Sequence, residues 1–117
     1  MLGEKFTLDI RPTFVDELDK VVAYIELKLR NPAAADKLVE DVYAAIDETL
    51  EHPTITQPVY REPDVAQPYY VIRVRNYSVF YIVRGDVMEV RWFRYVPSAA
   101  RLSQNPAFQS GSPFEEP

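Results

Sequence analysis

The sequence predicts a single α+β domain with the element order β-α-α-β-β-β, in which an N-terminal αα hairpin packs on one face of a twisted, mainly antiparallel sheet. Two observations carry this prediction. Apolar residues recur at helical spacing in the first half of the chain, whereas residues 69–95 are almost all β-branched, aromatic or long aliphatic. A chain of 117 residues is long enough to bury a core without disulfides, and it contains no cysteine.

The first strand and the first helix follow from local patterns. Apolar and polar residues alternate over residues 5–10, which predicts a strand with one buried face. Thr13 is predicted to cap the following helix, with Asp16 in the acidic position of a capping box. The helix is expected to end at Asn31-Pro32, because a residue before proline is disfavoured in helical conformation.

A second helix is predicted to begin directly after the first. Asn31 can cap it, and Pro32 suits its first position. Its apolar stripe runs to His52-Pro53, and a connection this short makes the two helices antiparallel. Residues 53–68 contain four prolines and little periodicity, so we expect a loop that crosses back to the sheet.

Three strands are predicted at residues 69–75, 77–84 and 86–95 and form an antiparallel meander. Gly85 supplies the glycine that a tight hairpin turn favours. Strict alternation places one set of side chains toward the helices: Tyr70, Ile72, Val74, Tyr77, Val79, Tyr81, Val83, Met88, Val90 and Trp92. The open face is then predicted to carry Arg73, Arg75, Ser78, Phe80, Ile82, Arg91, Phe93 and Tyr95, with no element of the chain to cover it.

Charge is segregated along the chain. The net charge is −5, but residues 14–52 hold ten acids against four Lys and Arg, whereas residues 70–101 hold six arginines against two acids. A basic sheet can therefore attract a polyanion although the whole chain is acidic. No signal peptide and no apolar run of membrane-spanning length is evident, so we expect a cytoplasmic protein. The domain is predicted to span residues 1–103, with a flexible tail at 104–117.

Five short stretches are distinctive in combination. They are Tyr24-Ile25, Asn31-Pro32-Ala33-Ala34-Ala35, Tyr69-Tyr70-Val71-Ile72-Arg73-Val74, Asn76-Tyr77-Ser78-Val79-Phe80-Tyr81 and Val87-Met88-Glu89-Val90-Arg91. Together with the element order, they resemble toxins of the RelE/ParE superfamily, the toxic half of type II toxin–antitoxin pairs. The resemblance covers about residues 5–96 and implies growth inhibition, a cognate antitoxin and no cofactor or metal.

The superfamily contains ribosome-dependent mRNA endonucleases, and the resemblance implies this activity first. Metal-free RNA cleavage needs proton transfer and cations that stabilise the phosphorane. Arg73 and Arg75 would then hold the phosphate, Tyr95 would transfer the proton, and Arg91 would add charge. The surrounding RNA or antitoxin face would include Ser78, Phe80, Phe93, Arg94 and Arg101.

The superfamily also contains gyrase poisons, and three positions favour this alternative. The endonuclease branch usually has basic residues where this chain has Val71, Ser78 and Pro97-Ser98. A ParE-type poison of DNA gyrase needs no phosphate clamp and therefore tolerates these differences. A third alternative is a degenerate toxin that retains only antitoxin binding.

The resemblance also implies that the antitoxin is disordered until it binds. On the predicted open face, Phe80, Ile82 and Phe93 would be exposed among arginines, and apolar area of this kind marks an interface. An acidic amphipathic segment of the antitoxin is therefore expected to cover these side chains and to pair with the sheet arginines.

Overall fold

The computed structural model of the protein describes residues 5–59 and 66–96. Within them the elements are β1 (Thr7–Ile10), α1 (Pro12–Ala23), a π-helical segment (Tyr24–Lys28), α2 (Pro32–Leu50), β2 (Tyr70–Val74), β3 (Tyr77–Arg84) and β4 (Val87–Tyr95). The predicted α+β class and element order are confirmed. The domain boundary at residue 103, the tail at 104–117 and Arg101 lie outside the described residues.

The sheet has the strand order β1-β4-β3-β2. β1 pairs with β4 in parallel, with Thr7 opposite Val87, whereas the other two pairs are antiparallel. The sheet is therefore mixed and mainly antiparallel, as predicted. β1 pairs with β4 only as far as Val90, so within the described part of the chain the outer edge of β4 has no strand beside it after this residue.

The first helix begins two residues earlier than predicted, because its cap position is Arg11 and not Thr13. Arg11 is the extended residue before it and makes no side-chain capping bond, and Pro12 occupies the first helical position. The proposed Thr13 cap is wrong, because the fixed φ of Pro12 already suits the helix and its missing N–H needs no acceptor. α1 then widens into the π-helical segment, where the Leu29 N–H donates to the Tyr24 carbonyl at 3.2 Å.

The turn between the helices reverses the chain within a few residues. Arg30 adopts a left-handed φ of 51°, which is uncommon for a residue with a bulky side chain. The Asn31 side chain accepts a hydrogen bond from the Ala34 N–H at 3.1 Å, so the predicted cap of α2 is confirmed. The two helices then lie side by side on one face of the sheet.

The main core lies between the helices and the sheet. Its fully buried members are Phe14, Leu18, Val21, Leu38, Val42, Ile46, Val74, Val79, Tyr81, Met88, Val90 and Phe93. The ring of Phe14 meets the ring of Phe93 edge-on, with centroids 5.8 Å apart. This contact joins α1 to the middle of the sheet.

A β-bulge in β4 changes which side chains face this core. Phe80 lies opposite Trp92, whereas Tyr81 lies opposite Val90, so Arg91 is an extra residue in β4. An extra residue reverses the alternation of every side chain that follows it.

The prediction for the end of β4 was therefore wrong. Phe93 faces the helices and stacks on Tyr77, with centroids 5.0 Å apart. Trp92, predicted as a core residue, lies on the opposite face and contacts Phe80. Tyr95 lies directly opposite Tyr77 and shares its face. Strict alternation failed because the sequence carries no signal for the bulge at Arg91.

The second face of the sheet is also buried. Tyr69, Phe80 and Ile82 form a separate buried cluster, and Val71 and Trp92 pack against it. The predicted exposed patch of Phe80, Ile82 and Phe93 is therefore wrong. No helix in the described ranges combines the length and apolar character needed to cross a bilayer.

Candidate functional site

Three of the candidate residues lie in one row across the second face. Strand pairing places Ser78 opposite Arg73 on one side and opposite Arg94 on the other. Side chains that lie directly opposite each other in a sheet share a face, so the two arginines flank Ser78. Ser78 is buried between them. Arg94 was predicted only as part of the surroundings of the site, but the structure places it directly beside Ser78 on the second face.

Arg75 does not join this row. It lies in the turn between β2 and β3 with a left-handed φ of 58°, and its guanidinium forms an ion pair with Asp41 of α2. Its side chain therefore reaches toward the helices, on the other side of the sheet from Ser78. The prediction that Arg75 shares the open face with Arg73 is wrong, because the strand ends at Val74 and the turn redirects the side chain.

Arg91 is neutralised by a neighbour on its own strand. Its guanidinium lies 3.3 Å from the Glu89 carboxylate, and Arg84 approaches the same carboxylate at 3.5 Å. Arg91 also lies over the ring of Tyr69, 5.8 Å from the centroid. This arginine serves both an ion pair and a cation–π contact.

Arg94 is held in the same way. Its Nε lies 3.3 Å from Glu17 of α1, and its guanidinium lies 5.0 Å from the centroid of the Trp92 ring. Trp92 in turn stacks on Tyr69 at 4.7 Å. The second face therefore carries guanidinium groups and aromatic rings in contact with one another.

Glu17 is a residue that sequence reasoning missed. Its second carboxylate oxygen accepts a hydrogen bond from the Phe93 N–H at 2.9 Å, at the edge of β4 that β1 does not reach. Burial raises the pKa of Glu17 above its ordinary value, and this effect outweighs the opposing influence of the Phe93 N–H and of Arg94. The sequence feature that could have identified Glu17 is its position beside the apolar stripe of α1, between Phe14 and Leu18.

Tyr95, the proton-transfer candidate, lies with two other tyrosines on the helix side of the sheet. Its ring is 5.5 Å from that of Tyr77. Burial raises the pKa of Tyr77, the neighbouring Tyr95 and Tyr24 act in the same direction, and Arg75 opposes them. The sheet therefore separates Tyr95 from the row that contains Arg73, Ser78 and Arg94.

One open groove lies between the end of α2 and β2. It has a volume of about 270 Å³, and Glu48, His52, Ile55, Val71 and Ile72 contribute to its lining. Within residues 5–59 and 66–96, no three His, Cys, Asp or Glu side chains come close enough together to hold a metal ion.

These features define a class of small α+β protein in which a helical hairpin covers one sheet face, and the other face carries aromatic rings beside arginines that are paired with carboxylates. The family model described as "ParE toxin of type II toxin-antitoxin system, parDE" matches residues 8–94. The chain therefore belongs to the ParE toxin family.

The fold is also similar to a solved structure described as "Chromosomal ParDE TA system from P. aeruginosa". The two chains share 18% sequence identity and superpose with a TM-score of 0.60, over 80% of this chain and 99% of the other. At this identity the likeness supports the fold alone. A comparison with curated proteins gives no match.

Proposed function

We propose that this ParE-family toxin acts by binding DNA gyrase and does not itself cleave RNA. One observation carries the proposal. A proton donor and the cations that stabilise a phosphorane must converge on one phosphate. Here Tyr95 faces the helices, whereas Arg73 and Arg94 flank Ser78 on the opposite face.

The charges of the candidate arginines support the same conclusion. Arg75 is paired with Asp41, Arg91 with Glu89, and Arg94 with Glu17. A phosphate that approached any of these guanidinium groups would have to displace a carboxylate and leave it without its partner. Arg91 and Arg94 form the more buried of these pairs, and removing one partner of such a pair is costly, so these two arginines are better suited to structure than to phosphate binding.

Family membership supports the target. Within the superfamily, the ParE-type proteins are the ones that the sequence resemblance connects with gyrase, and the chain matches the ParE family over residues 8–94. Val71 and Ser78 agree with this target, because both stand where the endonuclease branch usually carries a basic residue.

We also infer a cognate antitoxin that binds this toxin. The family description and the P. aeruginosa structure both name a ParDE toxin–antitoxin system. The binding mode expected from the sequence, in which an acidic segment covers Phe80, Ile82 and Phe93, is wrong because all three side chains are already buried. Co-purification with the product of the adjacent reading frame tests the partnership.

The target is tested with purified gyrase and DNA. We expect the protein to inhibit supercoiling and to trap cleaved DNA, and we expect overexpression to arrest growth. The double variant Arg73→Ala, Tyr95→Phe should arrest growth as strongly as the wild type, because neither side chain acts in chemistry.

Two results would contradict this proposal. One is the appearance of cleaved message on ribosomes together with unaffected supercoiling. The other is relief of growth arrest in the double variant while its thermal unfolding matches that of the wild type. Either result would instead support the activity of an mRNA endonuclease.

A further inference from the structure

The end of the helical hairpin, residues 24–30, exposes more apolar surface than its position requires. We call this segment the hairpin tip. Tyr24, Leu27 and Leu29 are 41%, 73% and 56% exposed. Three large apolar side chains within six consecutive residues at a surface turn are unusual, because such positions are normally polar.

The backbone of the hairpin tip is also irregular. Residues 24–28 form a π-helical turn, a conformation that is rare and recurs at functional sites. Arg30 then adopts a left-handed φ of 51°, which costs free energy for a residue with a bulky side chain. Two unfavourable backbone features therefore lie together where the leucines are exposed.

The cations of the hairpin tip differ from those of the sheet. Lys28 and Arg30 are exposed and alternate with Leu27 and Leu29 along the chain. Neither cation forms an ion pair within the part of the chain that the structure describes. Glu26 is the one acid of the hairpin tip, so this segment carries a net charge of +1 although the chain as a whole carries −5.

We propose that the hairpin tip is the surface through which the toxin binds its target, and that the target presents an apolar pocket bordered by carboxylates. The leucines fill the pocket and the two cations pair with its rim, which is the usual arrangement of an apolar centre and a charged border. This inference rests on the proposed function, because it takes DNA gyrase as the protein that presents the apolar pocket.

A second exposed apolar segment of the chain provides a matched control. Ile55 and Val59 in the loop after α2 are 74% and 52% exposed. No charged residue lies within residues 53–59, and the backbone there has no positive φ. Ile55 and Val59 therefore match Leu27 and Leu29 in exposed fraction, but this loop lacks the cations and the positive φ of the hairpin tip.

The experiment compares Leu27→Gln, Leu29→Gln with Ile55→Gln, Val59→Gln, using the full chain. Both variants are first checked for wild-type helix content and thermal unfolding. We expect the first variant to need at least about tenfold more protein for half-inhibition of gyrase, as loss of central interface side chains does. The loop variant should stay close to the wild type.

A charge variant keeps the proposal testable if the leucine variant fails to fold. Lys28→Glu, Arg30→Glu alters only exposed charges and leaves the apolar side chains in place. It should slow association with gyrase and weaken the dependence of association on salt, because rim charges act mainly on the association rate. An unchanged association rate in this variant would overturn the proposed acidic rim.

The experiment distinguishes failure of the proposed binding surface from failure of the proposed target. If the wild type inhibits gyrase and the leucine variant inhibits it equally, the hairpin tip is not the target surface, although the proposed function stands. If the wild type arrests growth without inhibiting gyrase, the proposed function fails. Loss of growth arrest in the leucine variant would then still support the hairpin tip, and full arrest would overturn it.

Two further outcomes would also overturn the inference. A leucine variant that arrests growth but no longer co-purifies with the antitoxin would show that the hairpin tip binds the antitoxin. A wild type that arrests no growth at all would remove both the target and the surface proposed for it.

Discussion

Both faces of the sheet are buried, but the side chains that pack on them differ in chemical type. The helix face packs apolar side chains, with Phe14 edge-on against Phe93 at 5.8 Å. The second face combines aromatic rings with arginines, as where Arg94 lies 5.0 Å from the centroid of the Trp92 ring. The helix face therefore resembles an ordinary apolar core. On the second face, Arg91 and Arg94 are paired with carboxylates.

A single extra residue in β4 therefore decides which face of the sheet receives each aromatic ring. Without the bulge at Arg91, Trp92 would enter the apolar core and Phe93 would lie among the arginines. Removing side chains from each face in turn tests this division.

Phe93→Ala should have the largest effect. Removal of a fully buried aromatic side chain from a packed core costs about 3–5 kcal/mol, a large part of the stability of a small domain. Trp92→Ala should cost less, because Trp92 is only partly buried on the second face. Urea denaturation of both variants measures the difference, and a larger loss for Trp92→Ala would contradict the bulge.

Glu17→Ala should come next, with a loss of about 1–3 kcal/mol, because it leaves the Phe93 N–H without its acceptor and Arg94 without its carboxylate. Glu17→Gln is the matched control, since its amide oxygen can still accept the Phe93 N–H. We expect this variant to lose much less stability at neutral pH. Equal losses for both variants would show that the charge of Glu17 matters more than the hydrogen bond.

Glu17 also predicts a dependence of stability on pH. Its pKa is raised above the ordinary 4.5, so the folded protein binds the proton more tightly than the unfolded chain. The part of its contribution that depends on this proton is fully present below pH 4.5 and is lost as the pH rises through the folded pKa, whereas the hydrogen bond from the Phe93 N–H remains at neutral pH. Denaturation at a series of pH values should show this fall in the wild type and not in Glu17→Gln.

Tyr81→Phe should cost about 0.5–1.5 kcal/mol, because the hydroxyl donates a buried hydrogen bond of 2.7 Å to the Pro53 carbonyl. Burial raises the pKa of Tyr81 from its ordinary 10.0 to about 12. Its contribution is therefore present below pH 10 and is lost as the pH rises toward about 12. Alkaline denaturation should be less steep in the variant, and an identical profile would contradict the buried hydroxyl.

Arg75→Ala should have the smallest effect, about 0–1 kcal/mol, because its ion pair with Asp41 is partly exposed. Asp41→Asn serves as the reciprocal variant, and the double variant gives the coupling energy. A coupling well above 1 kcal/mol would show that this ion pair fixes the sheet to α2 more firmly than its exposure indicates.

The order of the elements was predictable from local signals, because helices and strands repeat apolar residues at different intervals. The Asn31 cap followed from residue type and from Pro32 beside it. The widening of the first helix at Tyr24 was not predictable, since its apolar stripe continues to Leu29 without a break.

The candidate site was less predictable than the fold. Arg73 and Ser78 share a face as expected, because no irregularity separates them from the start of the hairpin. Tyr95 was misplaced because it follows the bulge at Arg91, and Arg75 was misplaced because it lies in a turn. Glu17 pairs with Phe93 and Arg94 across a long sequence separation, and only tertiary packing brings the three together.

The parallel pairing of β1 with β4 has a consequence for synthesis on the ribosome. β1 cannot pair until β4 has been synthesised, because Thr7 pairs with Val87. The two helices, in contrast, form hydrogen bonds only between residues that are close in the sequence. Non-local pairing is slow to form, because the intervening chain must first be closed into a loop. The sheet can therefore be completed only after residues 87–90 of β4 have left the ribosomal exit tunnel, whereas the helical hairpin can form earlier.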